Sequence, residues 1–302
     1  MRIYISLCIA IVVAFSFACS SSPEDPDAGF DDAGNDTESD VIEDGEQDAD
    51  TDVSGDAGRD ADVGAPGDDV GTDTGDDVGS DAGDSDIITA SYDFRDGQQS
   101  WQHGYSNFSP GMEDIIEFEA QLQESPEELE REGTGYYFSA HNRSDDLFMF
   151  LKRRLGAEEG INPNQSYMLE YEILFASNTP SNCFGIGGAP GESVWLKAGG
   201  ATIEPEVIEE NDYYVMNVDI GNQSVGGEAA AVTGDVANGI PCDEVDDLED
   251  APYVAIERTY SHEFAVEADE SGELWLLVGT DSGFEGLNTL YYLEIDVELH
   301  PL

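Results

Sequence analysis

An antiparallel β-sandwich is the fold predicted for residues 89–302, and three observations predict it. From Ile87 onward Tyr, Phe, Trp, Leu, Ile and Val recur at every second position, the period of a strand with one buried and one wet face. The apolar runs are short, about eleven of them, and Gly, Pro and Asn punctuate the stretches between. Only one segment, SPEELERE, carries a helix signature.

Taken in order, strands are predicted at Ser91–Phe94, Trp101–Phe108, Ile115–Leu122, Tyr136–Ser139, Leu147–Leu155 and Tyr167–Phe175. Others follow at Ser193–Ala198, Tyr213–Ile220, Tyr260–Val266, Leu274–Val278 and Leu290–Leu299. Ile116, Phe118, Ala120 and Leu122 alternate with Glu117, Glu119 and Gln121. In the last strand Tyr291, Leu293, Ile295, Val297 and Leu299 form the expected inner row. In SPEELERE, Ser125 is placed to cap a surface turn of helix, Pro126 to take the first position and Glu128 to close a capping box.

Residues 20–86 have a different character. They hold 25 of the 68 acidic residues against one base, Arg59, and Phe30 is their only aromatic. Such a segment buries too little apolar surface to offset its ordering entropy, so residues 19–88 are expected to be a disordered Asp/Gly-rich tether. GDDVGTDT and GDDVGSDA repeat with a period of eight between 67 and 82, which lacks the apolar position a solenoid stacks on. An EF-hand loop begun at Asp48 places Val53 where glycine is required and Arg59 where the closing glutamate is required. The segment therefore reads as a spacer, about 45–50 Å long as a flexible coil.

The net charge of −58 excludes partners bound through phosphate backbones, because nucleic-acid affinity is built on Lys and Arg. At the N-terminus, Arg2 precedes an apolar run from Ile3 to Ala18, too short to span a bilayer and suited to a secretory signal. Ser16 and Ala18 are small, and Cys19 follows at once. This resembles a bacterial lipoprotein signal, which implies removal of residues 1–18, lipidation of Cys19 with palmitate-type chains and display at the outer membrane or cell surface. The lipid would be the only link to the membrane. Cys8 leaves with the signal and Cys19 takes lipid, so Cys183 and Cys242 remain as one pair in an oxidising compartment, and a disulfide between them is expected.

YDFRDGQQSW (Tyr92–Trp101), GINPNQSYMLEYEILF (Gly160–Phe175), SGELWLLVGTDSG and LYYLEIDVEL are similar to the opening, middle and closing strands of secreted carbohydrate-binding modules with a galactose-binding-like jelly roll. The resemblance runs through most of residues 89–300 and implies a carbohydrate ligand and a structural calcium near the first and last strands, at Asp93 and Asp296. The acidic stretch from Gly221 to Pro252 has no counterpart in that pattern.

Sugar rings stack on exposed aromatics, so Trp101, Tyr105 and Trp195 are the first candidates for ligand contact, with Trp275 behind them. Lys152 and Arg154 share a strand face and could meet an anionic glycan. Enzyme signatures are weak. Ser193 sits in GESVW, outside a nucleophile elbow, and HNRSDD (His141–Asp146) reads as a turn. GIGGAPGES lacks the ending of a phosphate loop, and His262 shares a strand face with apolar neighbours. The sequence therefore predicts a lipid-anchored surface protein with a non-catalytic carbohydrate-binding-like sandwich. A structural or adhesive protein that binds an envelope partner is the alternative, and a secreted polysaccharide hydrolase is third.

Overall fold

The computed structural model describes residues 87–302, so the predicted signal peptide, Cys19 and the tether up to residue 86 lie outside the described residues. Among the described residues fourteen strands form: β1 (Ile88–Asp93), β2 (Gln102–Ser106), β3 (Glu119–Glu124), β4 (Thr134–His141), β5 (Leu147–Leu155), β6 (Ser166–Ser177) and β7 (Val194–Ala201). They continue as β8 (Val207–Glu210), β9 (Tyr213–Met216), β10 (Ala231–Asp235), β11 (Val254–Ser261), β12 (Val266–Glu267), β13 (Leu274–Ser282) and β14 (Leu287–Pro301). One sheet runs β11-β6-β14-β4-β3, with β12 also on β6 and β1 also on β14. The other runs β10-β7-β13-β5-β2, and β8 pairs with β9 alone. Every pairing within these sheets is antiparallel.

The alternation in the sequence fills the space between the two large sheets. Tyr136, Phe138, Tyr171, Ile173 and Phe175 from one face Leu147, Met149, Leu151, Leu196, Leu276 and Val278 from the other in a single buried cluster. An aromatic chain threads it: Phe94 meets Tyr136 edge-on at 5.3 Å, and Phe138 meets Tyr292 edge-on at 5.4 Å.

Four local readings need correction. The expected inner row of the last strand is broken by a register shift between Tyr292 and Glu294 that leaves Leu293 as an extra residue. Tyr292, Ile295, Val297 and Leu299 face the main core, whereas Tyr291 and Leu293 join a separate cluster with Ala176, Leu129 and Tyr253. SPEELERE makes only a three-residue 3₁₀ turn, Glu127–Leu129, and the Ser125 hydroxyl caps nothing. Leu129 packing on that second cluster decides the turn's place. Ile115 and Ile116 belong to a single helical turn, Glu113–Ile116, which ends where Glu117 takes a left-handed conformation (φ 52°), and β3 begins after it. The predicted Tyr260–Val266 strand is split, because β11 ends at Ser261 and Val266 opens β12.

Candidate functional site

The outer face of the five-stranded sheet carries the chemistry. Strand alternation puts Phe148, Phe150, Lys152 and Arg154 of β5 on one face with Trp275, Leu277, Gly279 and Asp281 of β13 and with Trp195, Lys197 and Gly199 of β7. Glycine makes the surface flat enough to cover: a Cβ at Gly199 would stand 2.4 Å from the Ala229 carbonyl oxygen, and one at Gly104 would stand 2.5 Å from the Phe150 ring. Residues 213–230 lie over one half of this face, where Met216, Ile220 and Ala230 form a buried cluster with Phe148, Phe150 and Leu277.

Beneath that cover is a buried ion pair. Lys197 and Asp281 are fully buried, with Nζ 2.7 Å from Oδ2. The ammonium also donates to the carbonyls of Ile220 (2.8 Å) and Val225 (3.1 Å), and the Gln223 N–H donates to Asp281 Oδ2 (2.8 Å). His262 ties down the same segment through Nε2 and the Glu228 carbonyl, 2.9 Å apart. Burial pushes the His262 pKa below its ordinary value, so the neutral ring serves as a core polar group, as its apolar neighbours predict.

The other half of the face stays open. Trp275 is half-buried at the end of β13 and forms part of a cleft of about 570 Å³ together with Ser100, Gln102, Arg154, Glu204 and Glu273. Lys152 Nζ lies 5.3 Å from the Trp275 ring centroid and is held there by Glu204 Oε1 (2.7 Å) and the Pro205 carbonyl (2.8 Å). Arg154 donates to Glu273 Oε1 (2.9 Å). An apolar ring surface is thus framed by amide, hydroxyl, carboxylate and cationic groups, the combination that takes a sugar's apolar face and its hydroxyls. Both cations of the expected anionic-glycan pair already have carboxylate partners.

The predicted site residues separate in the structure. Trp101 is fully buried, edge-on to Tyr92 at 5.4 Å, so it is core and offers no ligand platform. The preceding turn rolls it inward: Gly97, Gln99 and Ser100 all take positive φ (99°, 49° and 65°). Tyr105 stacks on Phe108 at 4.8 Å and packs against the core. Trp195 is half-buried on the same outer face as Trp275 but pairs in register with Asp281, six ladder positions away and about 20 Å by strand rise. Cys183 and Cys242 form the expected disulfide.

Asp93 and Asp296 do not form one ligand set. Asp93 pairs in register with Glu294, and Asp296 pairs with Ser91, whose hydroxyl it accepts. Burial raises the Asp93 pKa, but hydrogen bonds from Arg95 and the charge of Arg131 outweigh it and hold the value down at about 2. A divalent cation at Asp93 would meet two guanidinium groups, so the residues present there do not fit calcium. His141 pairs with Glu117 at 3.2 Å while Asp146 accepts from Asn107, so the residues of HNRSDD do not converge on one atom. Ser193 Oγ accepts from the Ala189 N–H inside its own turn.

Parity alone makes Glu273 legible beside Trp275, two residues away, whereas Gln102 turns outward only because Trp101 is core. Glu204 comes from the connection after β7 and has no such signal.

The sheets themselves define the class of protein, an antiparallel two-sheet β-sandwich. No protein-family model matches the chain, and no curated protein matches it in sequence. Among solved structures it is similar to one described for the promiscuous specificity of carbohydrate-binding modules of the β-sandwich superfamily (12% identity, TM-score 0.31), over 70% of this chain and 60% of that one. A module solved with β-1,4-galactotriose gives 11% identity and a TM-score of 0.28, over 70% and 94% of the two chains. A module that recognises mannan gives 10% and 0.30, over 71% and 98%.

Proposed function

We propose that this is a lipid-anchored cell-surface protein whose sandwich holds carbohydrate, without catalysis, in the Trp275 cleft. Trp275 carries the reading: its ring is half-exposed on a wet sheet face and surrounded by hydrogen-bonding groups. Calorimetric titration of the full chain with soluble neutral polysaccharides, mannan and galactan among them, should show binding with no release of reducing ends. Trp275→Ala should weaken it about 30-fold, the effect of losing roughly 2 kcal/mol at an aromatic anchor. Trp195→Ala should change it far less. Wild-type affinity in Trp275→Ala would move the site elsewhere, and silence across the polysaccharides would end the carbohydrate reading. Cys19→Ser should shift the protein from the membrane fraction to the soluble one.

A second reading, an adhesive or structural envelope protein, draws on Phe184 and Ile186. These side chains are 102% and 70% exposed on the loop that the disulfide pins, where the Glu285 N–H also donates to the Ile186 carbonyl at 2.8 Å. Changing both to Ser should leave polysaccharide binding intact and remove any association with envelope proteins.

A further inference from the structure

The covered half of the five-stranded sheet holds one more carboxylate than it holds cations to balance. Asp146, the residue before β5, lies on the same sheet face beside Asp281, which pairs in register with Phe148. Asp146 Oδ2 accepts from Asn107 Nδ2 (3.1 Å), and Asp281 Oδ2 is taken by Lys197 and the Gln223 N–H. Each carboxyl is left with a buried Oδ1 that has no donor. Two orphan acceptors on neighbouring carboxyl groups are satisfied together by a single hydrogen between them, and that hydrogen brings the charge of the trio with Lys197 to zero.

We propose that Asp146 and Asp281 bind one proton between them, and that this proton clamps residues 213–230 onto the sheet. The clamp acts through bonds that meet at Asp281. Lys197 reaches from Asp281 to the carbonyls of Ile220 and Val225, Gln223 donates its N–H to Asp281, and Gln223 Nε2 donates to the Asp145 carbonyl at 2.7 Å. A second negative charge in the pair would compete for the one ammonium that holds the covering segment.

The other titratable groups around the pair are Lys197 from β7, Tyr213 from β9, Asp219 from the covering segment and the neighbouring Asp145. Lys197 is the only cation among them. In agreement, burial and then the charge of Asp281 push the Asp146 pKa up to about 7 from an ordinary 3.8. A carboxyl raised in the folded state adds stability that is fully present below its unfolded value and is lost as pH rises through the folded one, here from about 3.8 to about 7.

Carbon-13 NMR of the full chain tests the idea directly: the Asp146 carboxyl should titrate near neutrality, and titration in the ordinary carboxylate range would overturn it. Melting curves from pH 4 to 8 give a second test. The chain carries 68 acids and repels itself increasingly as pH rises, so the comparison is with Asp146→Asn, whose amide donates permanently to Asp281 Oδ1. This variant should melt at a higher temperature than wild type at pH 8, with the gap closing toward pH 4. Parallel curves would overturn the proposal. So would a calcium-induced rise in wild-type melting temperature at pH 8 that Asp146→Asn lacks, since a metal ion would then be the missing partner.

Discussion

Lys197→Met is expected to lower the stability of the sandwich by about 3–5 kcal/mol, the cost of leaving one member of a buried ion pair alone. Its ammonium serves three acceptors, Asp281 Oδ2 and the carbonyls of Ile220 and Val225, and its side chain has no exposed surface through which water could replace it. Removing it strands a charge and two carbonyls at once. For a domain of this size the melting temperature should fall by roughly 6–20 °C. A double variant with Asp281→Asn should recover part of the loss, because the buried charge leaves with it. If Lys197→Met melts with the wild type, the pair contributes nothing and the covering segment is held by its apolar contacts alone.

Removing the Cys183–Cys242 crosslink is the second large effect, about 4 kcal/mol by the chain-entropy estimate for a closure of 59 residues. The bond joins the loop after β6 to the segment between β10 and β11. The backbone there is already paired, Ser181 N–H to the Ile240 carbonyl (2.8 Å) and Cys242 N–H to the Ser181 carbonyl (2.9 Å). Local geometry should therefore survive reduction at low temperature, while the thermal midpoint drops by roughly 8–16 °C. The Trp275 cleft lies at the far end of β13 from this loop, so polysaccharide affinity of the folded, reduced chain should match that of the oxidised one. An unchanged midpoint for Cys183→Ser with Cys242→Ser would show that the denatured chain is already restricted there.

Much of the architecture was legible because period-two alternation survives wherever a strand has one dry face. β5 lies at its predicted bounds, Leu147–Leu155, and the antiparallel two-sheet arrangement is the one expected. What failed was local. The shift at Leu293 reverses the faces of the residues before it, and a bulge leaves no mark in an all-apolar run such as LYYL. β8 (VIEE) is exposed along its length, and β10 (AVTGD) is half-buried with a glycine inside, so neither shows the alternation that identifies a strand. In the candidate site, Trp101 was misplaced because a tryptophan after a turn looks alike whether the turn rolls it in or out. Positive φ at Gln99 and Ser100, residues that seldom adopt it, decides the direction. Lys197 and Asp281, 84 residues apart, could be joined only by the fold.

The pairing of β1 with β14 bears on the order in which the sheet can form. Ser91 and Asp296, neighbours across that ladder, are 205 residues apart, and β14 separates β6 from both β1 and β4. The central strand of the larger sheet is therefore the last of the described strands to be synthesised. Until it arrives, β1, β4 and β6 present unpaired edges, and closure across so long a separation is slow. A chain that stops before Glu294 leaves β1 with nothing to pair with, which makes β14 the checkpoint for the larger sheet.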